Sequence, residues 1–144
     1  MALVFKKPKE VEELEKKEES TEESKEVNHY DELIGLLFHA RTQLHYFHLQ
    51  TKVEAEHTTL GGFYGSLLEL TDEFAELYMG MGNEVVSAPC KDFVDYKGID
   101  QVRDYLKELL EEIKECTCDS PELELVLLEV NQLIYKTLFL LQLK

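Results

Sequence analysis

Apolar side chains recur every three or four positions along the chain after residue 28, and no stretch alternates apolar and polar side chains as a strand would. The repeats predict four helices, over about residues 29–50, 55–79, 99–115 and 121–143. The predicted core stripes are Leu33, Leu37, Ala40, Leu44 and Phe47 in the first helix, Leu60, Tyr64, Leu67, Thr71, Phe74 and Tyr78 in the second, and Val102, Leu106, Leu109 and Ile113 in the third. This pattern is typical of an all-α protein.

The predicted helices are separated by typical boundary residues. Asn28 is placed to cap the first helix, Gly80-Met81-Gly82-Asn83 ends the second, and Asp119 or Ser120 caps the fourth, with Pro121 in its first turn. About five residues join the first two helices, so these two must form an antiparallel hairpin. The connection over residues 81–98 can cross the length of a bundle, at roughly 3.3 Å per extended residue. Two hairpins joined by a long connection predict a ferritin-like four-helix bundle over residues 29–144.

The chain begins with a charged segment that is too polar to build a core. Residues 6–28 contain six lysines, nine glutamates and three aliphatic side chains. We therefore expect residues 1–28 to form a charged N-terminal tail. The apolar residues 2–5 resemble a short docking segment for a protein partner, although an apolar terminus without a partner is the alternative.

Charge and composition limit the classes of partner. Thirty acidic and fifteen basic residues give a net charge of −15, which argues against direct nucleic-acid binding. The start of the chain lacks the order of a secretory signal, and three cysteines form no disulfide pattern, so we expect a cytoplasmic protein. The last helix is apolar on nearly every side from Leu133 to Leu143, which predicts burial against another subunit and hence a homo-oligomer. Four charged residues in that helix argue against a membrane span, namely Glu122, Glu124, Glu129 and Lys136.

Histidines and carboxylates are concentrated on the first hairpin. His57 and Asp72 are fifteen residues apart on one helix, about 22 Å at 1.5 Å per residue, so they cannot bind one ion within a single chain. His57, Asp72 and Glu76 nevertheless share one helix face. An antiparallel two-fold neighbour would place Asp72 and Glu76 of one subunit against His57 of the other. His45 and His48 lie at the same end of the hairpin as His57. The candidate metal ligands are therefore His45, His48, His57, Asp72 and Glu76, and the alternative is that they are polar side chains of a helical hairpin without a bound metal.

The spacing of these residues resembles a known family. His45 followed by Tyr46, His57 twelve residues later, Tyr64, and the pair Asp72 and Glu76 beginning fifteen residues after His57 are similar to the Dps branch of the ferritin superfamily. The similarity covers about residues 38–83. It implies an iron site between two-fold related subunits. Gly61 stands where that family has an aspartate, so the implied site lacks one carboxylate.

A second resemblance is to short proteins of tailed bacteriophages, through the run HLQTKVEAEH over residues 48–57 and a following Phe-Tyr pair. It implies a virion-associated protein.

Two functions follow from the sequence. The first is a Dps-like oligomer that binds iron, with weak ferroxidase activity left open. The alternative is a non-catalytic structural or virion-associated protein that keeps the bundle and binds a partner through its tail.

Overall fold

The computed structural model describes residues 28–87 and 91–143, and in these residues it contains four α-helices and no strand. The helices are α1 (His29–Gln50), α2 (Glu54–Gly80), α3 (Ile99–Glu115) and α4 (Pro121–Leu140). The prediction of an all-α protein is confirmed. The predicted bounds of α1 and α3 match the structure, whereas α2 begins one residue earlier, so that three residues rather than about five join α1 to α2. The predicted tail lies outside the described residues, except for Asn28.

Polar caps fix the starts of two helices. The side-chain oxygen of Asn28 accepts hydrogen bonds from the backbone N–H groups of Tyr30 and Asp31, at 2.9 and 3.0 Å. Ser120, rather than Asp119, caps α4 by accepting from the N–H of Leu123. These bonds satisfy donors that have no partner within the helix. Gly82, with φ of +90°, follows the end of α2 in a conformation that favours glycine.

The four helices pack in the cyclic order α1, α2, α4, α3. Contacts between their ends show the chain direction. Tyr30 at the start of α1 stacks on Tyr78 near the end of α2, and its hydroxyl accepts from the N–H of Asp119 before α4. At the opposite end of the bundle, Arg103 in α3 donates to the carbonyl of Leu141 after α4. Neighbouring helices are therefore antiparallel, with α1 and α4 running in one direction and α2 and α3 in the other.

The core lies between the predicted stripes. Every stripe residue predicted for α1 and α3 is buried, and so are those predicted for α2 except Tyr64, which is half-buried. Phe63, which the prediction omitted, is buried as well. The core face of α4 consists of Leu123, Val126, Leu127, Val130, Ile134 and Thr137. In the described part of the chain, no helix is both long and apolar enough to cross a membrane.

The connection between α2 and α3 runs along α1 and is held there by side-chain amides. Gln43, which is fully buried, donates to the carbonyl of Val94 at 2.8 Å and accepts from its N–H at 2.9 Å. Gln50 accepts from the N–H of Tyr96 at 2.6 Å. These bonds satisfy backbone groups of an irregular segment, because the backbone of α1 is already committed to its own helix. The connection therefore crosses the bundle from the α2 end to the α3 start, as predicted.

His39, to which the sequence assigned no role, is a third anchor of this connection. It is buried, and its Nε2–H donates to the carbonyl of Asp92 at 3.1 Å. Its Nδ1 therefore accepts, in the neutral ring, from the hydroxyl of Tyr105 in α3 at 3.0 Å. Burial raises the pKa of Tyr105, so this hydroxyl keeps its proton. The ring of His39 also stacks on Phe93, with centroids 4.8 Å apart.

Replacing Gln43 by Ala should lower the free energy of unfolding by about 2 kcal/mol, because both backbone groups of Val94 lose their partner. Gln142→Ala is the matched control, since the side chain of Gln142 is exposed. Chemical denaturation of both variants measures the difference. Equal stability of the two variants would show that the bonds of Gln43 to Val94 do not stabilise the connection.

Candidate functional site at the first hairpin

The five predicted metal ligands lie at two distant places in the chain. His45 and His48 are in the last turns of α1, and His57 is in the first turn of α2, so the turn at residues 51–53 brings all three histidines together. Asp72 and Glu76 are near the other end of α2, on its exposed side. The separation of the two groups agrees with the helix geometry expected from the sequence.

His48 and His57 form a reciprocal pair. Nδ1 of His48 lies 2.6 Å from the backbone oxygen of His57, and Nδ1 of His57 lies 2.8 Å from the backbone oxygen of His48. A carbonyl oxygen only accepts, so both rings carry a proton on Nδ1. The rings stack, with centroids 3.6 Å apart and planes 22° from parallel. The pair therefore closes the hairpin, and Nε2 of each ring has no hydrogen-bond partner among the described residues.

A second set of bonds closes the same turn on its other side. The carboxylate of Glu56 accepts from the hydroxyls of Thr51 and Tyr96, both at 2.6 Å. Burial, and then the bond to Glu56, raise the pKa of Tyr96, which keeps its hydroxyl protonated as a donor. The end of the α2–α3 connection is thereby joined to the start of α2. We call the side chains of these five residues the hairpin clasp: His48, Thr51, Glu56, His57 and Tyr96.

His45 lies beside the clasp without joining its hydrogen bonds. Its ring stacks on Tyr64 of α2, with centroids 4.0 Å apart, and the guanidinium of Arg41 lies 5.7 Å from the same Tyr64 ring. Burial lowers the pKa of His45, and the nearby Arg41 and His48 lower it further. The neutral form of His45 is therefore favoured in the folded protein.

The three histidines do not form a metal site within one chain. The lone pair of Nε2 lies in the ring plane, and the nearly parallel planes of His48 and His57 cannot both direct a lone pair at an ion about 2.1 Å away. Glu54 and His57 have the Glu-x-x-His spacing of di-iron bundles, but both are exposed at the hairpin end rather than in the core. Within residues 28–87 and 91–143, no three His, Cys, Asp or Glu side chains are grouped closely enough to hold a metal.

The ring of His48, which belongs to the clasp, packs against Gly61. A Cβ atom built on Gly61 would lie 3.1 Å from Cε1 and 3.3 Å from Nδ1 of His48. The ring of His48 therefore covers the position where the Dps resemblance implies an aspartate. An aspartate at this position would meet the ring unless the His48 side chain moved. At Gly62 and Gly65, by contrast, no atom of the described residues outside the adjacent helix backbone lies within 4 Å of the built Cβ.

Asp72 and Glu76 belong to an acidic surface on α2. With Glu69 and Glu73 they line a shallow depression of about 560 Å³, which reaches the end of the helix at Met81. All four carboxylates are exposed. Four exposed negative charges close together produce a negative potential, which attracts cations to this surface.

A second groove, with a volume of about 550 Å³, lies between the start of α1 and the end of α3. Its walls include Leu36, Glu112 and Cys116. Burial, and then nearby Glu112, raise the pKa of the Cys116 thiol, and burial also raises that of Cys118. Both thiols are therefore protonated at neutral pH and are poor nucleophiles and metal ligands.

A protein-family model matches most of the chain, including every residue of the clasp. A family model described as a family of unknown function (DUF5856) matches residues 48–141. The chain belongs to DUF5856. The matched region begins at His48 and includes His57, Asp72, Glu76 and all of α2, α3 and α4.

A relative of this DUF5856 protein occurs in a bacteriophage. The uncharacterised 14.6 kDa protein in the mobD-ri intergenic region of Enterobacteria phage T4 is 25% identical over 119 residues, which cover 79% of this chain and 88% of the phage protein. The phage similarity expected from the sequence is consistent with this relative. No solved structure matches the chain significantly.

Gly61→Ala should stabilise the protein less than Gly62→Ala does. Alanine is favoured over glycine in a helix by about 1 kcal/mol, but at residue 61 the new methyl group pushes on the His48 ring. In a His48→Ala background, Gly61→Ala should recover the full gain. Thermal denaturation of the four variants tests this. An equal gain at both glycines in the unaltered background would contradict close packing of His48 on Gly61.

The lowered pKa of His45 predicts a pH effect. The unfolded chain binds this proton more tightly than the folded protein, so the contribution is fully present above the usual pKa of 6.5 and is lost as the pH falls below it. Between about pH 7.5 and about pH 5.5, the free energy of unfolding should fall more in the wild type than in His45→Phe, which keeps a ring against Tyr64. His29→Phe, at an exposed histidine, should behave as the wild type. Parallel curves for all three proteins would contradict the prediction.

Proposed function

We propose that this protein is a non-catalytic, phage-associated interaction protein that works by binding other protein chains, including copies of itself. The observation that carries this proposal is the hairpin clasp. Two of the histidines that a metal enzyme would use, His48 and His57, are engaged with each other and with the backbone, so they stabilise the hairpin.

The remaining surface supports the same function. Exposed apolar side chains are concentrated on α4, where five of the large ones are at least half exposed: Leu125, Leu128, Tyr135 and Phe139 in the helix and Leu143 just after it. Several exposed apolar side chains on one helix are typical of a surface that binds another protein. The charged tail over residues 1–28 is a second candidate contact for a protein partner, as its composition suggests.

Two further features support a ferritin-like bundle and an association with a phage. The antiparallel cyclic order of helices, with the long connection after α2, is the arrangement of ferritin-like bundles, and we assign the chain to that architecture. The relative in phage T4 supports a phage protein, either a virion component or a factor present during infection. Such a bundle gives a rigid support for surfaces that bind other chains.

A second candidate function is iron binding between two chains, as the Dps resemblance implies. It is favoured by the exposed face of α2. His57 presents a free Nε2 there, and Gly65, halfway between His57 and Asp72, has no atom within 4 Å of a built Cβ. A two-fold neighbour can therefore approach α2 closely at Gly65, which brings His57 of one copy toward Asp72 and Glu76 of the other. Iron would then be held by imidazole and carboxylate, ligands that suit Fe(II).

Anaerobic titration with Fe(II), followed by addition of peroxide, separates the two functions. We expect no saturable binding in high salt and no acceleration of iron oxidation, because His48 and His57 are engaged in the clasp and Gly61 supplies no carboxylate. Asp72→Ala and Glu73→Ala are the matched pair, since both residues line the acidic surface but only Asp72 belongs to the resemblance. Saturable binding that is lost in Asp72→Ala and kept in Glu73→Ala would overturn the main proposal and establish the iron site.

A further inference from the structure

The outward face of α4 carries a regular apolar stripe that lies outside the core, and the bundle contacts it through the ammonium of Lys114, 5.7 Å from the centroid of the Tyr135 ring. Its members are Leu125, Leu128, Gln132, Tyr135 and Phe139, at alternating spacings of three and four residues. At 100° per residue they lie within an arc of about 80°, opposite the buried residues Leu123, Val130 and Ile134. Leu125 is 61% exposed and Phe139 is 58% exposed.

This spacing is the heptad pattern of a helix that pairs with another helix. The stripe is about 21 Å long at 1.5 Å per residue, which equals two heptads. Gln132 is the single polar member and lies at its centre. A polar side chain at one such position selects a register and an orientation at some cost in stability.

We propose that two copies of this chain pair through α4 in an antiparallel arrangement, with the two-fold axis near Gln132. The inference rests on the proposed function and names its partner as a second copy. Spacing supports the axis, because it places Leu125 against Phe139 of the second copy and Leu128 against Tyr135 of the second copy. Each of these contacts occurs twice, as an isologous interface requires.

Charges beside the stripe favour the antiparallel orientation. Glu129 and Lys136 flank the stripe on one side, and among the described residues neither has an ion-pair partner in its own chain. In an antiparallel pair, Glu129 of each copy faces Lys136 of the other. A parallel pair would instead place Glu124 against Glu129 of the other copy, which is repulsive.

Reversing the charges tests both the interface and its orientation. Sedimentation equilibrium of the full chain should show a dimer, and Glu129→Lys should weaken it roughly tenfold, because the introduced lysine then faces Lys136 of the other copy. The double variant Glu129→Lys with Lys136→Glu should restore the wild-type dissociation constant. A parallel pair would be strengthened by Glu129→Lys, so stronger association would overturn the orientation.

Two further variants separate loss of the interface from loss of folding. Phe139→Lys should give a monomer with unchanged helical content, whereas Leu49→Lys, at an exposed apolar side chain on α1, should leave the dimer intact. Equal association of these two variants, or a wild-type protein that is monomeric at every concentration, would overturn the inference. The Fe(II) titration tests the proposed function independently, because it does not depend on α4.

Thiol crosslinking locates the axis. In a background with Cys90, Cys116 and Cys118 replaced by Ser, Gln132→Cys should crosslink two copies under mild oxidation. Leu125→Cys should not, since its partner in an antiparallel pair is Phe139. Crosslinking of Leu125→Cys with itself would show a parallel pair and overturn the proposal.

Discussion

The reciprocal bonds between His48 and His57 are the constraint on which the first hairpin depends. The carbonyl of His48 is one of the last four of α1, which have no partner within the helix, and the Nδ1–H of His57 satisfies it. In return, His48 donates to the carbonyl of His57. A three-residue turn leaves few ways to satisfy the carbonyl of His48, so the imidazole of His57 acts as a C-terminal cap for α1, whereas the bond from His48 goes to a carbonyl inside α2. Gly61 is then required to be small, because the His48 ring packs over it.

The connection between α2 and α3 is also held by hydrogen bonds between side chains and backbone groups. His39, Gln43 and Gln50 lie on one face of α1, within an arc of about 40° at 100° per residue, and each bonds to the backbone of the connection. A helix has no free backbone groups along its length, so side-chain amides and an imidazole must supply the partners that a neighbouring strand would supply in a sheet. This polar line beside the apolar stripe keeps an irregular segment in place along the bundle.

Periodicity in the sequence was sufficient to predict the helices, most of their bounds and nearly all of the core, because burial of one face per helix is a repeated and local signal. The roles of the histidines were harder to predict. His45, His48 and His57 meet at one end of the hairpin, as expected, but a histidine near a helix end suits a metal site and a backbone cap equally well. The choice depends on ring orientation, which spacing does not determine. His39 had no motif, and its only signal was its position four residues before Gln43.

On the outward face of α4, charges and apolar side chains have different effects on the association of two copies. With a net charge of −15, two copies repel each other at long range. At physiological salt this repulsion is screened beyond about 8 Å, so contacts within the interface decide the outcome. Placing one glutamate and one lysine on the same edge of the stripe makes the local charges attractive in one orientation only. In the proposed dimer, association is set by apolar burial, and its direction by Glu129 and Lys136, which have no ion-pair partner among the described residues of their own chain.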